Sequence, residues 1–158
     1  MTKNYLQIMG RMSNSWDHCR VHYDPSTGEM GLQLKVQIEE AVVKGELLHV
    51  SSAVDNKYGK QTGTYDVTNI AYEAGDADDY IWTWTTGAIC QMLWKDSTAA
   101  TRNYLAVADA VDGRASDIDM ATIGGNPAIS THFTEVGHVK ESKAGGTNVL
   151  VLVHFHTL

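Results

Sequence analysis

The chain has 158 residues and a mass of 17.3 kDa, with 43% hydrophobic and 20% charged residues, which suits one soluble globular domain and leaves too little for two. Its formal net charge is −7, from 12 basic and 19 acidic side chains. That shortage of cations excludes a general nucleic-acid binder, which needs Lys and Arg to displace phosphate counterions.

The acidic excess is local. Residues 1–60 and 131–158 are balanced, whereas residues 61–130 hold 3 basic and 10 acidic side chains. One flank of the folded molecule is therefore expected to be acidic. Cys19 and Cys90 belong to no C-x-x-C, so two reduced thiols are expected rather than a disulfide or a cysteine zinc site. No stretch reaches the roughly 18 apolar residues of a membrane span. Met1-Thr2-Lys3-Asn4 lacks the apolar core of a signal peptide, which points to synthesis and retention in the cytosol.

Residues 1–28 contain Tyr5, Leu6, Ile8, Met9, Met12 and Trp16 without a sustained period, and end in the turn Asp24-Pro25-Ser26-Thr27-Gly28. Apolar anchors without a pattern suggest an arm that packs on something else. These six residues are the candidate interface. A peripheral loop of the same domain is the alternative. The expected organisation is an N-terminal arm over 1–30 and a single β-rich domain over 31–158.

Gly31-Leu32-Gln33-Leu34-Lys35-Val36-Gln37-Ile38 alternates without exception and predicts a half-buried strand with Leu32, Leu34, Val36 and Ile38 inward. Leu47 to Val50 follows the turn Lys44-Gly45-Glu46 as a second strand, and Tyr65 to Ile70 is a candidate third. Tyr80 to Thr85 alternates with Tyr80, Trp82 and Trp84 on one face. Ala88 to Trp94 is apolar on both faces and reads as a buried strand. Ser97 to Ala110 suits either a helix with Asp96, Ser97 or Thr98 as cap, or a strand at Tyr104-Leu105-Ala106-Val107. Asn148 to His156 is the most hydrophobic segment and reads as a central strand. No internal repeat is evident. The fold class expected is all-β, mainly antiparallel, a small barrel or sandwich-like domain with at most one short helix.

Candidate chemistry is sparse. His154 and His156 stand at i and i+2, so on a strand both leave one face about 7 Å apart, a spacing that suits two metal ligands. The chain stops at Leu158, so any third ligand comes from elsewhere. Without one, they are two histidines at a rim or interface. His18-Cys19-x-x-His22 offers three donor types but no second half-site. Asp76-x-Asp78-Asp79 opens like a calcium loop, yet Ile81 and Gly87 occupy the positions that need Gly and Glu. Asp117 and Asp119 read as surface charge. No nucleophile elbow, phosphate loop or dinucleotide fingerprint occurs. Gly124-Gly125-Asn126-Pro127 and Gly145-Gly146-Thr147-Asn148 are turn chemistry. Tyr80, Trp82 and Trp84 could stack on sugars or bases, but alternate aromatics on a strand are more often core or interface partners. No catalytic residue, cofactor or metal is expected, and a binding or structural protein is.

Several steps of the chain resemble the head decoration, or structural cement, proteins of tailed phages. They are Lys44-Gly45-Glu46-Leu47-Leu48, Thr86-Gly87-Ala88-Ile89, Asp112-Gly113-Arg114-Ala115, Glu135-Val136-Gly137-His138-Val139 and Gly146-Thr147-Asn148-Val149-Leu150-Val151. Asn103 departs from the Gly that the pattern has before a strand, though Asn also tolerates positive φ. The resemblance covers roughly residues 42–158. It implies a β domain on the capsid exterior, commonly a trimer, that binds the major capsid protein, sometimes through a terminal arm. It implies no enzyme, nucleic acid or membrane. It also implies assembly in the host cytoplasm. Two alternatives stand beside it. One is another virion part, such as a tail-tube or fibre-base subunit. The other is a small cupin-like metal-dependent enzyme using His154 and His156.

Overall fold

The computed structural model describes residues 18–62, 67–119 and 135–157; Tyr5, Leu6, Ile8, Met9, Met12 and Trp16 lie outside them. Among these described residues, eleven strands account for the regular structure. β1 (Cys19–Asp24) and β2 (Glu29–Ile38) form a hairpin. Asp24 makes the turn: its carboxylate accepts from the Ser26 N–H and hydroxyl, and Gly28 at φ 78° returns its own N–H to the Asp24 carbonyl. β1 then pairs with β2 from Cys19↔Leu34 to Asp24↔Glu29, so the last part of the expected arm belongs to the sheet. The hairpin also changes the reading of β2. Gln33, expected outward, is fully buried because Arg20 and Trp84 flank it on neighbouring strands, and Arg20 Nε donates to its Oε1 at 2.7 Å.

The remaining strands are β3 (Leu47–Val50), β4 (Lys57–Lys60), β5 (Asn69–Ala71), β6 (Tyr80–Trp84), β7 (Ile89–Leu93), β8 (Leu105–Ala108), β9 (Ala115–Ile118), β10 (Glu135–Val139) and β11 (Leu150–Phe155). The ambiguous stretch 97–110 resolves as a loop followed by β8, and no α-helix occurs among the described residues. The all-β expectation holds. The strands make one continuous sheet in the order β4-β3-β5-β6-β2-β7-β11-β10-β8-β9, without full closure into a barrel.

That order contains the same unit twice. β2 to β6 run β4-β3-β5-β6-β2, and β7 to β11 run β9-β8-β10-β11-β7, one arrangement advanced by one set of strands. Each unit curls so that its ends touch through a short parallel bridge, Ile38↔Tyr58 in the first and Trp94↔Ala115 in the second. The register agrees pair by pair. Leu48↔Lys60 matches Ala106↔Asp117, Ile70↔Trp84 matches His138↔His154, and Val36↔Ile81 matches Met92↔Val151.

Irregular bonds agree as well. The Glu39 N–H donates to the Tyr58 carbonyl at 2.9 Å, and the Lys95 N–H to the Ala115 carbonyl at 2.8 Å. Glu73 accepts from the Trp82 N–H at 2.9 Å, and Glu141 from the Leu152 N–H at 2.8 Å. The absence of an internal repeat, as read from sequence, is therefore corrected. The longest run of identical letters at matching positions is short, Ala53-Val54-Asp55 against Ala110-Val111-Asp112, followed by Asn56-Lys57 against Gly113-Arg114.

The cores follow the same rule. The smaller cluster consists of Val36, Ile38, Val42, Leu48, Ala71 and Ile81. Their counterparts Met92, Trp94, Ala100, Ala106, Val139 and Val151 all lie in the larger cluster. That larger cluster also takes Leu47, Ile70 and Trp84 from the first unit, which fasten the two units together. Glu29 lies at this seam, fully buried. It binds Lys44 Nζ at 2.7 Å and accepts from Trp84 Nε1 of one unit and the Gln91 N–H of the other. A buried carboxylate is tolerable only with such a full set of donors. Close approach at the seam requires glycine at two places. A Cβ on Gly31 (φ 150°) would lie 2.6 Å from that of Ala88, and one on Gly45 (φ 86°) would lie 2.7 Å from the Leu93 nitrogen.

Candidate functional site

The sequence candidates fare differently. The aromatic stripe splits. Trp84 is fully buried and donates to Glu29, Trp82 lies under Arg20 with 4.1 Å from guanidinium carbon to ring centre, and Tyr80 is exposed. Cation–π stacking by Arg20 occupies the face that a sugar or base would need. His22 donates to or accepts from the Tyr72 hydroxyl at 3.1 Å, and Cys19, three positions away on a strand, faces the other side, so that set does not converge. Asp76 and Asp79 close an acidic turn through the Asp76 N–H, and Asp78 pairs with Lys57. Asp117 accepts from the Thr101 N–H. Cys19 and Cys90 are free thiols. Burial pushes the Cys90 thiol far up, with the Glu29 charge adding to it, so it stays protonated.

Two features remain. The first is an apolar face on the β1–β2 hairpin. Val21 and Tyr23 point the same way from β1, 64% and 60% exposed, and Met30 stands opposite Tyr23 on β2, 43% exposed. Together with Gly31, Ile89 and His154 they line an open groove of about 610 Å³. Three large apolar side chains together on a sheet surface mark an interaction surface more readily than scattered ones do. Sequence reading missed it because it treated this segment as part of an arm.

The second feature is a cluster of histidines where β10 meets β11. β10 and β11 pair with His138 opposite His154. The ladder between β10 and β8 shifts between Glu135 and Gly137, and Gly137 takes φ 146°. This bulge adds one residue to the strand, so Glu135 and His138, three positions apart, serve one face while Val136 and Val139 stay buried. On β11 the buried set is Val151, Val153 and Phe155, which turns His154 and His156 to the same side as His138.

His138 Nδ1 and His156 Nε2 are 2.8 Å apart, and His156 Nε2 lies 3.5 Å from Glu135 Oε1. The donor atoms of Glu135, His138 and His156 all fall within 4.8 Å of one another. Burial pushes the His156 pKa below its ordinary value; Glu135 opposes this, and His138 and His154 reinforce it. The neutral imidazole is therefore favoured. The structure thus keeps His156 from the sequence pair, leaves His154 in ring contact with it at 6.1 Å, and brings His138 and Glu135 from a strand that sequence reading did not single out for chemistry.

The comparisons with known proteins concern the fold. No protein-family model matches the chain, and no curated protein matches it. Among solved structures, it is similar to the head fiber gp8.5 N base of bacteriophage phi29, with a TM-score of 0.51 and 17% sequence identity, over 80% of this chain and 96% of that one. The chain therefore shares its fold with that head fiber base.

Proposed function

We propose that this chain is a virion structural protein mounted on a phage head, binding the major capsid protein as a decoration subunit or fibre base. It acts by binding rather than by catalysis. One observation carries the reading: the likeness to the head fiber base spans 96% of that chain, so it concerns the whole base and not a shared strand pair. The resemblance of the chain's glycine–strand steps to head decoration proteins supports the same class from sequence.

The exposed hairpin face gives the reading a physical route. Val21, Tyr23 and Met30 offer exposed apolar area, and among the described residues β1 pairs with β2 alone, which leaves its other edge as a template for an added strand. A subunit that binds only the assembled lattice stabilises that lattice by mass action. The resemblance also carries a trimer, to be checked by sedimentation of the purified chain. Threefold mass supports it and single mass removes it.

The decisive experiment adds purified chain to heads that lack it and measures co-sedimentation. Saturation at a fixed copy number per head is the expected outcome, with binding weakened at least about tenfold by Val21→Asp with Tyr23→Asp. Absence of saturable binding by the wild-type chain overturns the proposal. Full affinity in the double variant would move the attachment surface elsewhere, with residues 1–17 the next segment to delete.

A further inference from the structure

We propose that Glu135, His138 and His156 form a binding site for one divalent transition-metal ion of the zinc class. The proposal goes beyond attachment to a head and does not depend on it. Two imidazoles and one carboxylate are the donor set of borderline divalent ions, and three protein ligands leave a coordination position for water.

The geometry fits without rearrangement of the backbone. Donors around a tetrahedral ion with bonds of about 2.1 Å stand about 3.4 Å apart. The two separations at His156 Nε2, 2.8 Å to His138 Nδ1 and 3.5 Å to Glu135 Oε1, lie on either side of that value. Small side-chain rotations would open the shorter one. The ligands come from two paired strands, and the bulge at Gly137 sets the position of two of them.

A second observation is independent of distance. The fold places equivalent residues in the first unit, where His138 and His154 correspond to Ile70 and Trp84. Both of those are fully buried apolar side chains. The architecture therefore does not require histidine at this pairing. In one unit these strands are closed with hydrocarbon, and in the other they present nitrogen donors at a partly solvated rim. His156 is only 29% exposed in its side chain and Glu135 10%, which would exclude much of the water that competes for an ion, while the exposed His138 keeps a path of entry.

The test uses the full-length chain without an affinity tag, stripped by chelator and titrated with Zn²⁺ by calorimetry and with Co²⁺ by visible absorption. One equivalent of Zn²⁺ and a Co²⁺ spectrum of low-symmetry, four- or five-coordinate type are expected. His138→Ala and Glu135→Gln, both checked for native circular dichroism, should each weaken binding at least about tenfold. His138 is exposed, so its variant keeps the fold. His18→Ala and Cys19→Ser should leave binding unchanged. The proposal is overturned if the wild-type chain shows no saturable binding, if His138→Ala binds as the wild type does, or if the loss occurs in the His18 or Cys19 variant instead.

Discussion

The two five-stranded units share topology, register and even a glutamate side chain bonded to the same backbone position, yet they are finished differently. The first unit carries an extra strand: β1 lies along β2, its Arg20 covers Trp82, and its His22 packs on Tyr72 and Trp84. In the second unit the pair matching Ile70 and Trp84 is His138 and His154, at a rim rather than in a core. The interiors differ as well. Ile38 corresponds to Trp94 and Leu48 to Ala106, a large residue for a medium one and a small residue for a medium one. The lesson is that strand pairing is the invariant. The backbone ladder tolerates exchange of volume between facing positions provided the total fills the interior.

Paired substitutions turn this comparison into measurements. The largest effect is expected at the exchanged core position. Trp94→Ala should cost about 3–5 kcal/mol in urea unfolding, whereas Ile38→Val at the matching site should cost about 0.5–1.5 kcal/mol. Similar costs at both would mean that the second core is not built around its tryptophan. Next come the two turns that enter β3 and β8. Gly45 and Asn103 both have positive φ, 86° and 71°, and a side chain on Gly45 would press on Leu93 and Leu150 of the other unit. Gly45→Asn should therefore cost about 1–3 kcal/mol from overpacking, and Asn103→Gly a few tenths.

A third pair separates the units by pH. Ser51 caps the turn after β3, its hydroxyl accepting from the Ala53 and Val54 N–H groups. Asp109 does the same after β8, its carboxylate accepting from the Val111 N–H and pairing with Lys95 at 3.2 Å. Burial pushes the Asp109 carboxyl up, but the bonds from Val111, Lys95 and Ser116 outweigh it and hold the group below its ordinary 3.8. A carboxyl lowered in the folded state stabilises above the unfolded value, and that contribution disappears as pH falls through the folded one. Asp109→Ser should then cost about 0.5–1.5 kcal/mol near pH 7 and flatten the loss of thermal stability below about pH 4. An unchanged acid limb would show that Asp109 is not the group responsible. The smallest effect is at the turn that enters β4 and β9. Asn56 and Gly113 both have positive φ, so Asn56→Gly should shift stability by only a few tenths of a kcal/mol in the same melts.

Some of this was legible in the residue order. β2, β6, β7 and β11 follow from alternation or from continuous apolar runs. Short polar strands do not: Lys57-Tyr58-Gly59-Lys60 and Ala115-Ser116-Asp117-Ile118 owe their extended form to partners rather than to a pattern of their own. β1 was missed for the opposite reason. Its alternation is real, but Val21 and Tyr23 are the exposed set. The duplication hid behind insertions that change the spacing between counterparts and behind core residues that trade size across the fold. Of the candidate metal ligands, His156 was visible as half of a His-x-His. His138 and Glu135 were not, because strand pairing and one bulge bring them there from another segment.

The seam has a bearing on how the chain is made. The first unit is complete in its own strands once Trp84 has been synthesised, and β2 to β6 need no residue beyond it for their pairing. Glu29 is different. One of its donors is the Gln91 N–H, and Gly45 and Leu47 likewise wait for Leu93 and Gly113. On a ribosome, the early half therefore carries a buried-type carboxylate and an unfinished apolar side while the later half is still being added. The later half then docks on a template of its own shape, and β11, the last of the described strands in chain order, pairs with both β7 and β10.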